Sequence, residues 1–206
     1  MPEVLVPPSR WARWIANFAV SHGTPELTVS AGALAGTAAD GSWFAARLPF
    51  SLPYDGPPEA AALAQAAVPP EVWGLLLVRK GGFAVARLEG ERMTESKVGQ
   101  RHVQGRTKAG GQSQQRFARR RANQARDAYA AAADHAVRVL GGATTVVAGG
   151  DRSAVAEVLA DPRLAGVGAV GPWLAVPDPR RTILDQAVRD AQALVVEVVN
   201  APTGPG

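Results

Sequence analysis

Residues 72–98, VWGLLLVRKGGFAVARLEGERMTESKV, decide the fold. Val72–Arg79 is an apolar run, bounded by a Gly81-Gly82 pair that suits a tight hairpin with left-handed backbone. Phe83–Leu88 returns, and Gly90 turns the chain again into Arg92–Val98. The pattern predicts a three-stranded antiparallel meander. Downstream, residues 114–140 place Ala118, Ala122, Ala125, Tyr129, Ala132, Ala136 and Val139 at steps of four and three, the stripe of a long helix lying close against a sheet. Gly141-Gly142 ends it. Thr144–Ala148 reads as a short buried strand, and Gly149-Gly150-Asp151 leads into a helix near 152–160 with Asp151 as N-cap. Val167–Val170 predicts a further strand, Pro177–Pro179 a loop, and 182–198 a last amphipathic helix. Strands followed by helix–strand–helix predict an α/β or α+β class with a mixed sheet.

Upstream, the spacing predicts a helix over 9–22. Ser9 stands as N-cap, Trp11, Trp14, Ile15 and Phe18 share one face, and Gly23 closes the end. Glu26–Ser30 and Ser42–Pro49 have strand character across an Ala/Gly-rich connection, and a short helix is expected over 59–67. Residues 1–70 are expected to form part of the same unit as a domain at 71–200, with 201–206 as a flexible tail. There is no internal repeat.

Between the meander and the long helix lies KVGQRHVQGRTKAGGQSQQRFARRRANQAR, residues 97–126. It holds nine basic residues and no acid. The chain has 22 Lys and Arg against 18 Asp and Glu, so the remainder has 13 against 18. The window is +9 and everything else is −5, so the basic character belongs to one segment. Its centre, Gly110-Gly111-Gln112-Ser113-Gln114-Gln115, is neutral. Glycines let a loop approach a ligand closely. A glutamine amide both donates and accepts hydrogen bonds but does not titrate. It is therefore no general base. It can orient a water molecule and stabilise a developing oxyanion in a site built by a partner. Arg119-Arg120-Arg121 spreads over about 300° of helix arc, which suits a groove rather than one row of phosphates. Arg116 and these arginines oppose the helix dipole, a local cost that a nearby anion offsets.

Other chemistries find little here. Cysteine is absent, which excludes disulfides and thiolate sites. His22, His102 and His135 share no metal-ligand spacing, so neither a metal nor another cofactor is expected. Gly111-Gln112-Ser113-Gln114-Gln115 lacks the second glycine of a serine-hydrolase elbow. Asp40, Glu71, Glu89, Glu91 and Glu95 are scattered, unlike the clustered acids of a metal-dependent nuclease. No signal peptide or span of about 20 apolar residues is visible, so a soluble, cytoplasmic protein is expected.

GRTKAGGQSQQRFARRRANQA, within 97–126, resembles the signature of the actinobacterial Vms-like release-factor domain. That family is similar to the eukaryotic ribosome-quality-control tRNA hydrolases and to the central domain of eukaryotic class I release factors. The likeness is strongest over 91–140 and continues through Val146–Asp161. It implies an RNase H-like fold and cleavage of the ester joining a nascent peptide to tRNA. A glycine followed three residues later by glutamine is the family's motif, which lands on Gly111 and Gln114. A release-factor Gly-Gly-Gln lands on Gly110, Gly111 and Gln112. Both registers fit, and the Arg-rich stretch that follows favours Gln114. Arg101, Arg106, Lys108, Arg116, Arg119, Arg120, Arg121 and Arg126 become the expected RNA contacts. The expected partners of a monomer are the large ribosomal subunit, its rRNA and peptidyl-tRNA, with no membrane. A non-catalytic RNA-binding or ribosome-assembly factor is the alternative, and a metal-dependent nuclease the third reading.

Overall fold

A computed structural model describes residues 3–100 and 129–202. The chain divides into two compact units, residues 1–69 with 189–206, and residues 70–188.

The first unit is an antiparallel sheet in the order β1-β10-β4-β3-β2, made of β1 (Glu3–Val6), β2 (Glu26–Ser30), β3 (Ala33–Thr37), β4 (Trp43–Arg47) and β10 (Leu194–Val199). Helices α1 (Pro8–His22) and α2 (Ala60–Ala66) belong to the same unit. Phe44 is the hub of its core. The rings of Trp11, Trp14 and Phe18 meet it edge-on at 5.7, 5.2 and 5.1 Å. Each such pair adds about 0.5–1.5 kcal/mol beyond the area it buries.

Three expectations are corrected here, and one strand was not expected. Helix α1 begins at Pro8 with Pro7 in the cap position, so Ser9 is not the N-cap and no side chain caps this end. Proline suits that first position because its missing N–H would have had no partner there. Residues 33–37 are a strand and not a connection. Ala31 (φ 49°) and Gly32 (φ 71°) form the two-residue turn of a β2–β3 hairpin, and the ring of Phe44 occupies the space beside Gly36. The glycine that broke the strand signal is what that ring requires. The chain also starts on a strand, β1, paired antiparallel to β10. Finally, the helix expected over 182–198 stops early: α5 is Arg181–Ala191, and β10 follows. Val195, Val196, Val198 and Val199 are β-branched and favour the pleated sheet.

The second unit is built on the meander: β5 (Val72–Arg79), β6 (Gly82–Glu89) and β7 (Arg92–Gln100) pair antiparallel in sequence. β8 (Thr145–Gly150) lies parallel to β5, and β9 (Gly168–Leu174) parallel to β8. The order is β7-β6-β5-β8-β9, a mixed sheet with packed helices of the α/β type expected. The β5–β6 turn differs from the expectation in one respect. Its loop is Lys80-Gly81, and Gly81 is not left-handed. A Cβ there would stand 2.6 Å from Asp178 Oδ2, the mobile end of an exposed side chain that would have to shift.

One face of this sheet carries α3, helical from 129 to 139 among the described residues, and α4 (Arg152–Leu159). Ala132, Ala133, Ala136 and Val139 of α3 join Leu76, Val78, Phe83, Val85, Val146 and Ala148 in one buried cluster. Alanines permit that close approach of helix to sheet. Asp151 does precede α4, but its side chain caps nothing; its N–H donates to Val78 O at 2.8 Å. On the opposite face, Arg181 of α5 donates to Ser96 Oγ of β7 at 3.1 Å.

Candidate functional site

Gly110, Gly111, Gln112 and Gln114 lie outside the described residues. So do Arg101, Arg106, Lys108, Arg116, Arg119, Arg120, Arg121 and Arg126, along with the expected helical stretch 114–128. The described residues show the frame that carries them.

Strands β5, β7, β8 and β9 run in one direction and β6 in the other. The carboxyl end of β7 therefore lies on the same margin of the sheet as the carboxyl ends of β5, β8 and β9. Open α/β sheets bind ligands outside this margin. The chain leaves there after Gln100, which pairs with Gly82, the residue that follows the β5–β6 turn. It is back in described structure at Tyr129, on the helix that descends over the sheet. Burial raises the Tyr129 phenol above its usual range, and the carboxylates of Asp151 and Glu157 raise it further. Along the same helix His135 stacks on Phe83 near the margin and Arg138 reaches Glu95 farther from it, so the Tyr129 end of the helix is directed toward this margin. The residues described on either side, Gln100 and Tyr129, thus lie at one end of one sheet.

The same margin holds features that the sequence did not reveal. Arg79, the last residue of β5, donates to Val176 O at 2.7 Å and faces Asp178 at 3.7 Å, which holds the loop after β9 against the β5–β6 turn. The Arg152 guanidinium lies over the Trp173 ring, 4.3 Å from its centroid. A Cβ on Gly149 would stand 2.5 Å from Leu174 O, so β8 and β9 close tightly here. His135 stacks on Phe83 at 5.3 Å and 26°. None of these partners is close in sequence; strand pairing and helix packing on the sheet bring them together.

Elsewhere, His22, Asp40 and Ser42 come together without making a catalytic triad. Asp40 Oδ2 and Ser42 Oγ meet the same ring nitrogen, Nδ1, at 2.9 and 3.0 Å. A triad needs its serine on the other nitrogen. The fully buried Ser42 also accepts from the N–H of Ala201 at 2.9 Å, so the cluster ties α1, the β3–β4 turn and the chain after β10 together. Hydrogen bonds from the Ser42 N–H and from His22 lower the Asp40 carboxyl below its usual range. Among the described residues no group of three or more His, Asp or Glu side chains could hold a metal ion. No helix among them is long and apolar enough to cross a membrane.

No curated protein matches the chain. A family model, that of the Actinobacteria/chloroflexi VLRF1 release factor, matches residues 71–197, more than half of the 206 and the whole stretch that holds the sheet margin and the basic segment. The chain belongs to that release factor family.

Proposed function

We propose that this protein is a peptidyl-tRNA hydrolase that acts on the ribosome and releases stalled nascent chains. Membership of a release factor family is the observation that carries the reading. The acid-free +9 segment supports it, because a ribosomal active site is walled by phosphates. So does the placement of Gln100 and Tyr129, the residues described on either side, at one end of one sheet.

The chemistry follows from what the segment contains. Gly110 and Gly111 let the tip enter a narrow site. Gln114 or Gln112 places its amide beside the ester, accepts from the attacking water and donates toward the carbonyl oxygen as charge builds on it. Water adds to the carbonyl carbon, and the bond to the ribose oxygen breaks. A free peptide carboxylate and an intact tRNA hydroxyl result. The protein's own amide takes no proton, so proton transfer falls to groups of the ribosome and tRNA. Arg101, Arg106, Lys108, Arg116, Arg119, Arg120, Arg121 and Arg126 contact rRNA and the acceptor end of tRNA. The unit at residues 70–188 carries the basic segment and is the catalytic part, and the protein acts as a monomer on the large subunit, without cofactor.

Stalled ribosome–nascent-chain complexes test this directly. Adding the protein is expected to convert peptidyl-tRNA into free peptide and full-length tRNA. Tight binding with the ester left intact would make it an RNA-binding or assembly factor instead. Shortened RNA that appears only with a divalent metal would make it a nuclease.

A further inference from the structure

We infer that the Phe83 ring positions both ends of the basic segment relative to each other, with Gly99 and His135 as its two flanking contacts. This deepens the proposed release activity and rests on it for its kinetic consequence, but not for its structural one.

Phe83 is the second residue of β6 and is paired across the sheet with Gly99 of β7. Gly99 is the next-to-last residue of that strand, immediately before the segment departs. A Cβ on Gly99 would overlap Cε1 and Cζ of the Phe83 ring, so the ring occupies the space a side chain would take. The same ring is met by His135, stacked at 5.3 Å, on the helix by which the segment returns. One aromatic ring thus touches the strand that leads out and the helix that leads back. It is 8% exposed and belongs to the core cluster shared by α3 and the sheet, so it is a rigid reference point.

A second link gives the direction. Glu95 of β7 faces Arg138 of α3 at 3.7 Å. Moving along β7 from Glu95 to Gly99 corresponds to moving back along α3 from Arg138 to His135. Strand and helix are antiparallel, and both point their segment ends toward the same margin. The Glu95–Arg138 pair is exposed and weak. The ring column is nearer the departure point and lies at the margin itself. The contact uses the face of the His135 ring, which another flat ring can supply.

The absence of cysteine makes the test clean. Lys97→Cys on β7 and Ala130→Cys on α3 place one spin label on each of the two elements. The expected distance distribution is single and narrow. His135→Ala and Phe83→Leu are expected to broaden or shift it, and His135→Phe to restore it. The same substitutions, without labels, are expected to lower the maximal rate of peptide release about 10- to 100-fold. The ribosome concentration at half-maximal rate should stay unchanged, with His135→Phe again restoring the rate. A structural role alone would not give this split with rescue. His135→Ala keeps the test open should Phe83→Leu fail to fold. An unchanged distance distribution in the folded variants overturns the inference. If the distances respond as expected but the wild type releases no peptide, the release reading falls and the positioning role stands.

Discussion

At the residue scale, the sheet margin depends on glycines whose reason is a neighbour rather than a turn. Gly149 is the sharpest case. A side chain there would meet a backbone carbonyl, Leu174 O, and the Leu77 side chain at 2.9 Å. A carbonyl in a strand cannot step aside as the end of a side chain can. Gly149→Ala is therefore expected to destabilise the protein by about 1–3 kcal/mol, measured by urea unfolding. Gly166→Ala, with nothing within 4 Å, is the control and should change stability far less. This kind of requirement is barely legible in sequence. A glycine in a strand signals a close approach, but not to what, and the partner here lies on β9. The neutral Gly-Gly-Gln tip is an expectation of the opposite kind: it rests on consecutive residues and needs no tertiary contact.

At the scale of elements, the meander was readable because an apolar run, a glycine turn and a second run follow in order within 72–98. The helix α1 was readable from its aromatic stripe. Two strands were not. In β3, Gly36 breaks the strand signal because Phe44 fills the space beside it. β10 follows α5 after a gap of only two residues, so one apolar pattern ran across a helix and a strand. The short turn Pro162–Leu164 after α4 offers an electrostatic test. Arg163 donates to Asp161 through its side chain and its backbone N–H, and its guanidinium also reaches Asp134 at 2.7 Å. These bonds lower the Asp161 carboxyl from 3.8 to about 2. A lowered carboxyl stabilises the fold fully above its ordinary value and loses that contribution as pH falls from 3.8 toward about 2. NMR titration of Asp161 should show the low midpoint, and Arg163→Ala should return it toward the ordinary range. A wild-type midpoint near 3.8 would contradict the pairing.

At the scale of the whole molecule, charge is divided along the chain. Outside the window, Arg47, Arg79, Arg87, Arg92, Arg138, Arg163 and Arg181 each face a carboxylate of their own unit. The window has no acid to pair with internally. On the proposed reading these cations meet rRNA phosphates, so ribosome affinity should fall steeply with salt, by a log–log slope of about −0.7 to −0.9 for each phosphate neutralised. Arg119→Glu with Arg120→Glu should weaken binding and flatten that slope, as read by sedimentation at several salt concentrations. The charge division, like the family resemblance, was visible from residues alone. The mounting was not, because it needs the direction of four strands. The central claim is that this frame carries a neutral amide to an ester that the ribosome has already poised. Single-turnover release from stalled complexes, with ribosome binding followed in parallel, tests it most directly. The account predicts that Gln114→Ala or Gln112→Ala reduces release about 100-fold or more while binding persists. Undiminished release by both single variants and by the double variant would contradict it.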